Sequence, residues 1–155
     1  MRPIVLLTAL LSLGLGTSVV AQQQPSANMK IVAEKIRADK KLLVADNMGL
    51  TEAEAAKFWP VYDAYQASLG TIAQRNLALI KSYAASYNTM TDATADKLLT
   101  DMLAIEQDRV ALMNSYRPKF AATVPAMKVA RYYQIENKIR AVINYELADA
   151  IPLVP

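Results

Sequence analysis

Between Phe58 and Tyr83, one row of side chains recurs at alternating spacings of four and three residues. Such spacing keeps one side of an α-helix in continuous contact with another helix, as in a coiled coil. A β-strand would need alternation with a period of two. The row therefore predicts a long helix that packs lengthwise against a partner. Its members are Phe58, Tyr62, Tyr65, Leu69, Ile72, Asn76, Leu79 and Tyr83, with Tyr87 following after a skipped position.

A second row with the same alternation follows a turn that we predict around Asn88. Thr91 is typical of a helix start, and two long helices with matched rows and a short connection predict an antiparallel hairpin. Arg109 is the charged member of the second row, so it would need a carboxylate partner such as Asp63 or Glu106. The second row consists of Leu98, Met102, Ile105, Arg109, Leu112, Tyr116 and Phe120.

A capping box predicts where the first long helix begins. The hydroxyl of Thr51 can accept from the backbone while Glu54 reaches back to Thr51. Pro60 lies more than two turns inside this helix, but the spacing of the row continues through it. We therefore expect one helix with a bend. A matching bend at Pro118 would curve the hairpin.

Two more helices are predicted, one before the hairpin in the sequence and one after it. The first runs from about Met29 to Asn47, is capped by Asn28 or Ser26, and ends at Gly49, which suits a left-handed stop. Its inward side would carry Met29, Val32, Ile36 and Leu43.

The fourth helix is predicted from about Pro125 to Ala148. Pro125 suits the first turn because the missing amide hydrogen is not needed there. The prolines of the tail after Ala150 cannot continue the helix. Its inward side would carry Tyr132, Ile135, Ile139, Val142 and Ile143.

The N-terminus is typical of an exported protein. Arg2 precedes an apolar run from Ile4 to Leu15, and Val19 and Ala21 supply the small residues that signal peptidase needs. The run is shorter than the roughly 20 residues of a membrane span; the alternative is a retained N-terminal anchor. We predict a signal peptide over 1–21, a periplasmic location, a disordered leader over 22–27 and one helical domain over 28–155.

The composition narrows the function. The sequence has no cysteine and no histidine, which removes disulfides, the commonest metal ligand and the commonest general base. After cleavage, 16 basic and 14 acidic residues leave a net charge of +2, too weak to indicate nucleic-acid binding. Met102 and Met113 share a helix side but are too far apart to hold one copper(I) ion. We expect no enzyme activity, no cofactor and no metal site.

Charge and aromatic residues suggest a surface for binding proteins. From Arg117 to Arg140 there are six basic residues and one acid, whereas Thr51 to Val110 contains eight acids and five bases. Such a polarised chain can steer an acidic or unfolded partner, or pair with itself; the alternative is a solvated charged surface. The candidate residues are Arg117, Lys119, Lys128, Arg131, Lys138 and Arg140, together with Tyr87 and one of the Tyr132 and Tyr133 pair.

An internal repeat links the starts of the two long helices. LTEAEAAKFWPVYDAYQ from Leu50 aligns with MTDATADKLLTDMLAIEQ from Met90, with Lys57 and Lys97 at matching places. Two helix caps in similar settings could converge on this pattern. The paired starts also resemble those of the Spy and CpxP-like superfamily of bacterial periplasmic proteins, known by its LTxxQ motif. The matching residues are Leu50, Thr51 and Glu54 in the first copy and Met90 and Thr91 in the second.

The segments FWPVYDAY and ARYYQIENKIRAVINYELADAIPLV are similar to those of an uncharacterised branch of that superfamily. The resemblance implies an all-α hairpin that forms a thin, curved homodimer. In the best-known members the concave side holds unfolded clients without ATP or contacts a membrane sensor kinase. A related branch binds zinc through histidine, which this chain lacks.

We therefore predict a periplasmic holdase or envelope-stress adaptor that binds unfolded or partner proteins. One alternative is a structural or signalling module that docks to a single envelope partner. Another is a protein associated with metal resistance.

Overall fold

The computed structural model describes residues 39–155, which form four α-helices and no strand. Helix α1 covers 39–48 of this range, α2 covers Glu52–Ser86, α3 covers Asp92–Ala121 and α4 covers Ala126–Ala150; a short 3-10 helix, Tyr87–Thr89, joins α2 to α3. The predicted all-α class is confirmed. The predicted signal peptide, the leader and the start of the first helix lie outside the described residues.

Helices α2 and α3 form the predicted antiparallel hairpin. The hydroxyls of Ser68 and Tyr116 lie 3.4 Å apart, and the guanidinium of Arg75, seven residues further along α2, pairs with Asp108, eight residues earlier on α3. This crossing order requires opposite chain directions.

Local chemistry fixes the helix ends where the sequence predicts them. The Thr51 and Glu54 capping box is complete, with the Thr51 backbone N–H donating to the Glu54 carboxylate over 2.8 Å. Thr91 caps α3 by accepting from the backbone N–H of Thr94 at 3.2 Å. Gly49 has φ +55°, the left-handed conformation that stops α1. Pro125 lies just before α4, as its N-cap residue, rather than in its first turn.

Both long helices continue through their prolines. Pro60 lies inside α2 and Pro118 lies inside α3, three residues before its last residue. The prediction of one helix across Pro60 is therefore confirmed. The bend at each proline, and the concave side that two bends would create, stay predictions.

Helix α4 runs back along the hairpin, antiparallel to α3. The hydroxyl of Tyr133 donates to the carbonyl of Met113 over 3.0 Å, and Arg140, further along α4, reaches Glu106, earlier on α3. Beyond α4, the carbonyl of Pro152 accepts from the hydroxyl of Tyr83 at 2.8 Å, near the hairpin turn. Helix α4 thus spans the length of the hairpin.

The core is aromatic and lies at the end of the hairpin remote from the turn. The rings of Phe120 and Tyr132 are 4.6 Å apart, and Phe58 contacts both at 5.3 to 5.4 Å. Edge-on and tilted rings at such distances stabilise the core beyond the area they bury. The core consists of Val44, Met48, Phe58, Tyr62, Tyr65, Phe120, Val124, Val129 and Tyr132.

Among residues 39–155, three that were predicted to face inward are exposed. Leu43 is 45% exposed because α1 packs through Val44 and Met48, and a shift of one residue turns a side chain by about 100°. Met102 is 43% exposed because it lies in the half near the turn, where the paired helices enclose little. Val142 is 57% exposed because its neighbour Ile143 occupies the inward side of α4.

Candidate binding surfaces

A polar network ties α1, α2 and α4 together at the edge of the core. Lys40 Nζ donates to Gln66 Oε1 at 2.9 Å and to Glu136 Oε2 at 2.8 Å. Gln66 Nε2 donates to Glu136 Oε1 at 2.9 Å and to the hydroxyl oxygen of Tyr132 at 3.0 Å. The side chains of Lys40 and Glu136 are only 14% and 11% exposed, so their charges compensate each other out of water.

The core tyrosines are held in their neutral form. Burial raises the pKa of the Tyr132, Tyr65 and Tyr62 hydroxyls above the ordinary value of 10.0, and the anionic Glu136 raises each pKa further. The hydroxyls of these three buried tyrosines therefore stay protonated at neutral pH. These tyrosines contribute to the packing of the core.

Lys128 joins α4 to the start of α2. Its Nζ donates to the carbonyl of Gly49 at 2.8 Å and to Glu54 Oε2 at 2.5 Å. The hydrogen bond from Lys128, followed by the one from the Thr51 backbone, lowers the pKa of Glu54. One carboxylate thus serves both the helix cap and an ion pair between helices.

The basic residues predicted to form a partner surface divide into two groups. Lys128 and Arg140 are engaged, with Glu54 and Glu106 respectively. The others are exposed, and none forms an ion pair with a described residue. Of these, Lys119 lies over the ring of Tyr116, 4.0 Å from its centroid. The exposed group is Arg117, Lys119, Arg131 and Lys138.

The aromatic part of the predicted surface is largely withdrawn from solvent. Tyr132 is 0% exposed, so its place on a partner surface was wrong, because its ring fills the core between Phe58 and Phe120. Tyr133 is half-buried, with its hydroxyl bonded to the Met113 carbonyl. Tyr87 is half-buried against Tyr83, with ring centroids 5.7 Å apart.

Arg109 finds one of its two predicted partners. Its Nε lies 3.5 Å from Glu106 Oε1, whereas Asp63 pairs with Lys41 of α1. The Arg109 Nε is buried and has no hydrogen bond within the described residues. Arg140 shares the same Glu106 carboxylate. Two cations therefore converge on one acid where α3 meets α4.

An exposed apolar surface on α3 was missed by the sequence analysis. Leu99, Leu103 and Val110 are 52%, 51% and 55% exposed, and their spacings of four and seven residues place them along one side of the helix. Exposed Met102 lies beside them. We call these four residues the α3 outer face. The sequence contains a pattern that could have predicted this surface. Two apolar residues stand side by side at 98–99 and at 102–103, and the second residue of each pair belongs to another row on the helix.

The described residues contain an open groove but no cluster of metal-binding side chains and no helix that could span a membrane. Within 39–155, no group of three acidic side chains lies close enough together to hold a metal ion. An open groove between α2 and α3 is lined by small and apolar side chains with one acid, Asp108, which is already paired with Arg75. None of the described helices has an apolar stretch that could cross a membrane.

Comparisons with protein-family models, with curated proteins and with solved structures found no match to this chain.

Proposed function

We propose that this protein is a periplasmic, ATP-independent holdase or envelope-stress adaptor that shields apolar segments of unfolded proteins on the α3 outer face. The single observation that supports this most is the exposure of Leu99, Met102, Leu103 and Val110 on one stretch of helix. Scattered apolar residues are normal on a surface, but grouped ones commonly mark a binding site.

Charged side chains lie at both ends of the α3 outer face, where they can contact polar parts of an unfolded client. Arg117 follows Val110 by seven residues and is exposed, so a cation lies on the same side of α3. Asp96 is exposed one turn before Leu99. Charges of both signs at the ends of the apolar surface can attract oppositely charged parts of a client.

The predicted signal peptide and the resemblance to the Spy and CpxP-like superfamily support the same proposal. The segment 1–21 is typical of a signal peptide, and Leu50, Thr51 and Glu54 resemble an LTxxQ motif. By the same resemblance we propose a homodimer. An envelope protein cannot draw on ATP outside the inner membrane, so passive binding fits the proposed location.

Light scattering from an aggregating client tests the proposal. The client is diluted from denaturant with and without the protein, in the absence of ATP. The expected result is suppression that grows with the molar ratio of protein to client. Normal aggregation at several-fold molar excess of the protein would refute it.

A second candidate is a module that docks to one envelope protein. The spacing of Leu99, Leu103 and Val110 favours it, because a single amphipathic helix could lie along such a row. A pull-down from envelope extracts separates the two functions. One stoichiometric partner supports docking, and a broad set of unfolded proteins supports the holdase.

A further inference from the structure

The outward side of α4 carries a second exposed surface. Met127, Val142 and Tyr145 are 85%, 57% and 79% exposed, and Arg131 and Lys138 are exposed between them. Spacings of four, seven, four and three residues keep these five on one side of the helix, over about 27 Å of its length. We call them the α4 outer face.

The charge on this surface has one sign. Between Ala126 and Tyr145, every exposed charged side chain is basic. The single acid of that stretch, Glu136, is half-buried and paired with Lys40. Arg131 and Lys138 form no ion pair with any described residue. The exposed acids of α4, Glu146 and Asp149, follow only after Tyr145.

The pattern of the surface distinguishes between two kinds of acidic partner. A protein interface usually needs a contiguous apolar centre that excludes water, but here the cations separate Met127 from Val142 and Tyr145. In a lipid headgroup layer, by contrast, each of these side chains finds its own environment. The cations pair with lipid phosphates, and the tyrosine ring lies at the boundary between water and acyl chains. The apolar side chains insert shallowly among the acyl chains.

We propose that the α4 outer face binds the surface of an anionic lipid bilayer, with α4 lying along the headgroups and without insertion of the helix across the membrane. Arg131 and Lys138 attract the headgroups, and Met127, Val142 and Tyr145 add a small apolar contribution. This binding uses neither Leu99 nor Leu103, so it stands apart from the proposed client surface. It would hold the protein at the membrane while the α3 outer face remains available.

Co-sedimentation with vesicles tests this proposal. The protein, purified in its naturally processed form, is mixed with vesicles of phosphatidylcholine alone or of phosphatidylcholine with phosphatidylglycerol. We expect binding only when phosphatidylglycerol is present, and weaker binding as salt increases. Arg131→Glu with Lys138→Glu should lower the affinity about tenfold or more.

A matched control distinguishes the effect of the α4 outer face from the effect of the protein's net charge. Lys57→Glu with Lys81→Glu makes the same change of charge at two exposed lysines of α2 that have no ion pair with a described residue. We expect it to alter the affinity by less than about twofold, because salt screens distant charges. Tyr145→Ser should also weaken binding, and circular dichroism should show all variants folded.

Three results would overturn the proposal. One is no difference between the two vesicle types. Another is equal loss of binding in both double variants. The third is capture of polyglutamate without binding to anionic vesicles, which would assign the surface to an acidic protein instead. Suppression of client aggregation by the Arg131→Glu and Lys138→Glu variant should stay unchanged, so each proposal can fail without the other.

Discussion

Among single residues, Tyr132 connects the apolar core with the polar network. Its ring packs against Phe58 and Phe120, while its hydroxyl accepts from Gln66. Burial raises the pKa of the Tyr132 hydroxyl, so the phenol stays neutral. Its position joins α4 to both helices of the hairpin, and we expect the largest loss of stability here.

Replacing Tyr132 by alanine should lower the free energy of unfolding by about 3–5 kcal/mol, because the ring leaves a cavity and its partner Gln66 loses an acceptor. Tyr145→Ala is the control on the same helix, since Tyr145 is 79% exposed, and its effect should stay within about 0.5 kcal/mol. Urea unfolding measures both. Similar losses in the two variants would contradict the placement of the core.

Glu54 gives the fold a dependence on pH. Its pKa in the folded protein is lowered below the ordinary value of 4.5, first by the hydrogen bond from Lys128. A lowered pKa means that the ionised carboxylate stabilises the fold above that ordinary value, and that this stabilisation is lost as the pH falls through the folded pKa.

Glu54→Gln should therefore be less stable than the natural protein at neutral pH, and the difference should shrink as the pH falls below 4.5. Urea unfolding over a pH series provides the measurement. Glu52→Gln, in the same first turn and without an ion pair among the described residues, is the control. A difference that is constant with pH would show that the carboxylate acts without its charge.

Among the helices, the boundaries follow from local sequence more closely than the packing does. The stop at Gly49 and the starts at Thr51 and Thr91 each depend on neighbouring residues, so the sequence was sufficient to predict them. The rows at four and three residues likewise predicted the hairpin.

Contacts between distant segments could not be predicted from local sequence patterns. Lys40 meets Gln66 and Glu136 although they are 26 and 96 residues away in the chain, and no local pattern encodes that meeting. For the same reason, the predicted inward residue of α1, Leu43, is one position away from the buried Val44. Which side of a short helix is buried depends on the core that it meets.

The two described glycines, one after the end of α1 and one inside α2, should respond in opposite ways to alanine. Gly49 needs its left-handed conformation, so Gly49→Ala should lower the free energy of unfolding by about 1 kcal/mol. Gly70 lies inside α2 with open space at its side-chain position, so Gly70→Ala should raise it by about 0.5–1 kcal/mol. Thermal unfolding of the two variants checks both signs. A gain in stability at Gly49 would contradict the assigned helix stop.

In the whole molecule, the tightest packing lies at one end of the hairpin. The aromatic core fills the end remote from the turn, whereas Ile72 and Ile105 are the buried residues of the half near the turn. The α3 outer face begins in that second half. Three of its four residues, Leu99, Met102 and Leu103, lie where the helices bury few other apolar side chains.

The candidate site was less predictable than the fold. The sequence indicated the basic side chains, and the structure shows that Arg117, Lys119, Arg131 and Lys138 are exposed while Lys128 and Arg140 are paired. Ion pairing between helices decides which cations stay free, and it depends on the final packing.

Light scattering with matched variants tests the central claim, that clients bind the α3 outer face. The natural protein is compared with the combined variant Leu99→Ser, Leu103→Ser and Val110→Ser, whose side chains are at least half exposed and contribute little to folding. Leu42→Ser, at a position that is 63% exposed on α1, is the control.

We predict that the natural protein and the Leu42→Ser control suppress aggregation of the client equally, whereas the combined variant loses most of the suppression and keeps its unfolding temperature. Equal suppression by the combined variant and the natural protein would contradict the assignment of clients to the α3 outer face.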